Sequence, residues 1–135
     1  MKYISAEEFL KQPKEIQEVF MDWWKPEIGD LYSSFRFKML DVLECEAKAK
    51  GIIANPKVKS NIFPLLTEGQ LREFIEDKLK NKIDIEVTVN VDTGKKDYSI
   101  YEYDEVDSNY GFLGTNLLQA YWQVALQIAR EEVNK

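Results

Sequence analysis

The alternation of apolar and polar positions is cleanest between residues 83 and 91, where Ile83, Ile85, Val87, Val89 and Val91 alternate with Asp84, Glu86, Thr88 and Asn90. A sustained two-residue period of β-branched side chains predicts a strand with one wet face. Asp92-Thr93-Gly94-Lys95-Lys96 follows as a glycine-bearing hairpin loop, and Tyr98, Ile100, Tyr101 and Tyr103 mark the returning strand. Elsewhere the period is helical. Leu71, Phe74, Ile75 and Leu79 share one face behind Thr67 and Gln70, which stand three apart as a capping box, with Leu66 and Leu71 placed as a hydrophobic staple. Ser5 with Glu8, and Ile4 with Phe9, repeat both devices near the N-terminus. Pro13 suits the first position of a second helix, striped by Ile16, Val19, Phe20 and Trp23 and ended by Lys25-Pro26. Trp24 points off that stripe, so it packs on a second neighbour or faces solvent.

The last helix is expected to start at Thr115 as its cap, after a loop flanked by Gly111 and Gly114. Its apolar residues make two adjoining stripes, one of Leu117, Tyr121, Val124 and Ile128, the other of Leu118, Trp122, Ala125 and Ala129. A stripe that wide predicts burial along two contacts, with the sheet and with another helix or a second subunit, which makes this helix the candidate seam for a homo-oligomer.

One stretch reads two ways. From Phe35 to Lys50 the odd positions Phe35, Phe37, Met39, Leu43, Cys45, Ala47 and Ala49 are apolar and most even ones charged, which favours a long strand or a bent pair of strands. The residue types favour a helix closed by Gly51. Asn55-Pro56 reads as a turn, with Val58 to Phe63 returning as an edge strand. The order of elements predicts an α+β fold over residues 1–135, a single domain in which N-terminal, central and C-terminal helices pack on a mostly antiparallel sheet.

Charge narrows the partners. With 24 acidic and 18 basic residues the net charge is −6, which repels a phosphate backbone and argues against direct nucleic-acid binding. No apolar run approaches a membrane span, and the acidic turn at Glu7-Glu8 argues against an export signal, so a cytoplasmic protein is expected. A single cysteine, Cys45, fits a reducing compartment and reads as a packed structural thiol. There is no histidine, so the commonest general base and metal ligand is missing, and neither an enzyme nor a bound cofactor is expected.

The remaining candidates are surfaces. Asp104, Glu105, Asp107 and Asn109 resemble a cation loop, yet Tyr110 stands where the EF-hand needs glycine and Asn116 where it needs the bidentate glutamate, so a solvated acidic loop is the better reading. Gly111 to Thr115 opens a helix but lacks the lysine of a phosphate loop. Core packing accounts for most of the three Trp, seven Tyr and seven Phe, because large aromatics dominate small-domain cores. Those facing outward, with Trp24 and Tyr101 the leading candidates and Tyr103 and Tyr110 beside the acidic segment, would mark a binding surface.

Ala6-Glu7-Glu8-Phe9-Leu10, Pro13-Lys14-Glu15, the block from Trp23 to Tyr32, the block from Phe63 to Leu71 and the block from Leu117 to Ala125 together resemble short accessory proteins encoded by phages and prophages of clostridia and related bacteria. The segment from Ser33 to Ser60 falls outside the resemblance, which carries over no functional residue. It implies a bacterial host cytoplasm and, by analogy, a protein that binds and inhibits a cellular protein such as a host-defence component. The alternative reading is a small-ligand binder, nucleotide-like, with aromatic stacking near Tyr110 and Trp122, the helix start at Gly111 to Thr115, and Lys95 or Lys96.

Overall fold

Helices pack with antiparallel strands throughout, the α+β architecture that the periodicities predict. The computed structural model describes residues 2–36, 39–103 and 109–135. It divides into two compact units, Ile4–Leu66 and a second formed by Met1–Tyr3 with Thr67–Lys135, here the N-terminal and C-terminal units.

The N-terminal unit begins with α1 (Ala6–Leu10), whose cap Ser5 accepts the Glu8 N–H at 3.1 Å, and α2 (Lys14–Trp23), preceded by Pro13 at its cap position. Ile4 and Phe9, the staple pair, are both buried. Phe9 stacks on Phe63 with ring centroids 4.8 Å apart and meets Phe20 edge-on at 6.3 Å. β1 (Leu31–Ser34) is the central strand, antiparallel to β2 (Asp41–Val42) on one side and to β3 (Ile62–Pro64) on the other. Between β2 and β3 lie α3 (Glu46–Ala54) and α4 (Pro56–Ser60).

The long strand favoured between Phe35 and Lys50 is therefore not formed. Its described part holds two strand residues at Asp41–Val42, then a helix that runs through Gly51 rather than stopping there. The buried positions in and just after this stretch, Leu43, Ala49 and Ile52, end on a helical interval, whereas Cys45 and Ala47, which carried the alternation, are exposed. Small side chains can alternate without a buried face to satisfy, and Glu, Ala and Lys favour helix. Cys45 is correspondingly an exposed residue in the cap position of α3, not a packed thiol. Val58 belongs to α4, and only Ile62 onward joins the sheet.

The C-terminal unit is built on α5 (Glu68–Leu79), β4 (Ile83–Val89), β5 (Lys96–Glu102), β6 (Asn109–Tyr110) and α6 (Leu117–Val133). The predicted capping box is present: Gln70 N–H donates to Thr67 Oγ1 at 3.3 Å and Thr67 N–H to Gln70 Oε1 at 3.0 Å. Leu66 and Leu71 are fully buried. β4 and β5 form the expected hairpin, closed where Asn90 Oδ1 accepts the N–H groups of Asp92 and Thr93 and Gly94 takes φ +69°, a left-handed conformation that glycine adopts without strain. α6 starts one residue later than Thr115 predicts, because Asn116 Oδ1 accepts the Gln119 N–H at 3.1 Å and takes the cap. Both α6 stripes are largely buried, and α5 and β5 pack against the helix, so its width needs no second subunit.

Candidate interaction surface

Cross-strand register decides which side chains of the hairpin share a face. Ile85 stands opposite Ile100 and Val87 opposite Tyr98, while Asp84 stands opposite Tyr101, Glu86 opposite Ser99 and Thr88 opposite Asp97. The first set includes Ile100, fully buried. The second set is a polar face with three carboxylates, and Lys82 and Lys95 continue the register at its two ends.

Tyr101 sits at one end of that polar face, half-buried. Burial, then the negative charge of Glu86, to which its hydroxyl donates, and that of Asp84 push its phenol above the ordinary 10.0. The hydroxyl thus lies beside Glu86, with Asp84 near it. Tyr103 follows, 54% exposed and with its backbone tied down, its N–H donating to Lys82 O at 2.8 Å and its carbonyl accepting from Asn81 Nδ2 at 3.1 Å. A tyrosine that is rigid in the backbone and open at the ring loses little entropy on binding.

The other sequence candidates are not gathered here. Trp24 is 1% exposed, in a core cluster with Tyr32, Leu43, Ala49, Ile52 and Ile62, and its indole N–H donates to Asp30 Oδ2 at 2.9 Å. It therefore cannot mark a surface. Tyr110 stands opposite Ile100, on the apolar face, half-buried, with burial and then Glu131 and Glu102 raising its phenol. Asp104, Glu105 and Asp107 lie outside the described residues. Asp84, Glu86 and Asp97 were missing from the sequence candidates. Only the register tells that they flank Tyr101, and single-strand alternation does not reveal which residue of a neighbouring strand stands opposite.

The loop from Gly111 to Thr115 is spoken for by the sheet. Leu113 N–H donates to Tyr98 O at 2.9 Å and Gly114 N–H to Asp97 Oδ1 at 2.9 Å, so these two amides, which a phosphate would need, already have acceptors. The N-terminal unit contains a groove of about 870 Å³ between α2 and α4, with Leu10, Met21, Phe35 and Pro56 among its apolar lining and Lys14, Glu18, Asp22 and Lys59 among its charged residues.

Among the described residues no group of three or more acidic, cysteine or histidine side chains could hold a metal ion, and no helix is long and apolar enough to cross a membrane. No protein family, curated protein or solved structure was found to match the chain.

Proposed function

We propose that this chain is a non-catalytic accessory protein, of the phage or prophage setting that its sequence resembles, which binds and inhibits a basic cellular protein in the cytoplasm of a bacterial host. The observation that carries this reading is the polar face of β4 and β5, where Tyr101 is set between Asp84 and Glu86 with Asp97 beyond. A face with three clustered carboxylates attracts a basic partner and repels nucleic acid, and an amphipathic tyrosine supplies a contact that excludes water. Attraction of this kind weakens as salt screens it. Affinity capture with the tagged chain from a clostridial-type lysate, at low and at high salt, followed by mass spectrometry, tests it. A stoichiometric protein lost at high salt is expected; capture indifferent to salt, or none, contradicts it.

The groove of about 870 Å³ in the N-terminal unit favours a second reading, a small-ligand binder, because it falls within the roughly 300–1,000 Å³ typical of ligand pockets. Native mass spectrometry of the chain purified from its host would then show a small molecule bound in place of a protein.

A further inference from the structure

β4 is an outer strand, paired on one side by β5. The hydrogen bonds fix which of its backbone groups face the other way. Tyr103 N–H donates to Lys82 O at 2.8 Å and Asn90 N–H to Lys95 O at 2.9 Å, so the even positions turn their N–H and C=O groups toward β5 and the odd positions turn theirs outward. Ile83 shows the outward pattern directly. Its N–H donates to Glu76 Oε2 at 3.1 Å and its carbonyl accepts from Arg72 Nη2 at 2.9 Å, the two side chains being ion-paired at 3.7 Å. α5 thus closes this one position much as a neighbouring strand would.

Beyond it the edge is open. At Ile85, Val87 and Val89 no described residue takes the outward backbone groups, and at Asn90 the chain turns into the hairpin loop. Val87 is 45% and Val89 53% exposed on the same stretch, which holds neither proline nor lysine. An apolar edge without those protections is a template for another strand.

We propose that a second copy of this chain covers the edge, with β4 pairing antiparallel to β4 about a two-fold axis at Val87. The placement follows from charge and from where the edge is open. With the axis at Val87, Ile85 meets Val89 of the second copy and Val87 meets Val87, so the outward groups of all three open positions are satisfied on both strands. On the polar face Glu86 then meets Thr88, and Asp84 meets Asn90. Moving the axis to Glu86 sets Glu86 against Glu86 and runs into Ile83, which α5 already occupies. Moving it to Thr88 sets Asp84 against Asp92 and reaches into the hairpin loop. Like charges directly opposite destabilise a strand pair, so Val87 is the favoured centre.

This pairing is independent of the reading of the polar face, although it would place two such faces side by side. A seam of one short strand buries less than a stable dimer needs, so association should be concentration-dependent, with a dissociation constant on the order of 10–1,000 μM. Each copy carries −6, so salt should strengthen the dimer, the opposite of its effect on a basic partner.

Sedimentation equilibrium of the full chain over that concentration range, at low and high salt, reads the mass against the 15.8 kDa monomer. The expected result is a rise toward twice that mass, with dissociation weakened by salt and the Val87→Lys variant about tenfold or more weaker in association. Disulfide trapping supplies a second readout in a Cys45→Ser background. A Val87→Cys thiol meets its own copy across the axis at a strand-pair distance compatible with a disulfide, so diamide should cross-link it far faster than Ile85→Cys, which faces residue 89. A monomer at every concentration, a dimer indifferent to Val87→Lys, or equal trapping at 85 and 87 would overturn the proposal.

Discussion

The indole N–H of Trp24 and the backbone N–H of Glu27 converge on one carboxylate oxygen, Asp30 Oδ2, at 2.9 and 3.0 Å. Asp30 therefore seats a fully buried tryptophan and closes the turn that follows α2 in a single contact. Removing it by Asp30→Ala leaves the buried indole donor unsatisfied, which costs about 1–3 kcal/mol. Thermal unfolding should show Tm lower by several degrees, and a smaller loss when the same change is made in Trp24→Phe, where no indole donor remains. Additive losses would show that the contact carries no coupling energy.

Ser33 offers the opposite case. Its hydroxyl is buried in β1, 1% exposed, with no hydrogen-bond partner among the described residues. An unpaired buried hydroxyl is a cost that alanine avoids at almost the same volume. Ser33→Ala should raise stability by about 1 kcal/mol in urea unfolding, and a loss of that size would reveal a partner for the hydroxyl.

These contacts show what could be read from the chain and what could not. The capping box at Thr67 and Gln70, the hairpin of β4 and β5 and the wide apolar face of α6 were legible because each rests on neighbours within a few residues. Trp24 was not, because Lys25-Pro26 takes it out of the helix, after which the helical stripe no longer says where it points. Its destination depends on Asp30, on Leu43 and on β1, α3 and β3, a convergence that no local period encodes. The stretch from Phe35 to Lys50 misled for another reason: its alternation rested partly on Cys45 and Ala47, small residues for which exposure costs little. The candidate surface was half legible, since Tyr101 and Tyr103 stood out while Asp84 and Glu86 joined them only through register.

Asp41 accepts the Val42 N–H at 2.8 Å and the Tyr32 hydroxyl at 2.9 Å, with Lys48 Nζ at 3.8 Å. The backbone bond first, then the tyrosine and the lysine, hold its carboxyl below the ordinary 3.8. Because the folded-state value is depressed, its stabilisation is present above 3.8 and is lost as pH falls through the folded value. Carbon-detected NMR titration should place the midpoint under 3.8 and move it upward in Tyr32→Phe; a midpoint at or above 3.8 in the native chain contradicts the arrangement.

Tyr101 has the reverse sign. Its phenol is raised above 10.0 by burial, Glu86 and Asp84, so the unfolded chain ionises first. The contribution of the protonated phenol is fully present below 10.0 and is lost as pH rises through the folded value. Glu86→Gln should bring the Tyr101 titration back toward 10.0, read by NMR of the ring. No movement would place Glu86 away from the hydroxyl.

The proposed docking of a basic protein on the polar face of β4 and β5 is tested by reversing the charge there without touching the apolar face. Quantitative capture from the same lysate should be compared between the native chain, the double variant Asp84→Lys with Glu86→Lys, and Tyr101→Ala, each first shown to unfold cooperatively. The captured partner should fall at least about tenfold for the charge reversal and markedly for Tyr101→Ala. Undiminished capture by both variants would contradict it and move the binding surface elsewhere on the chain.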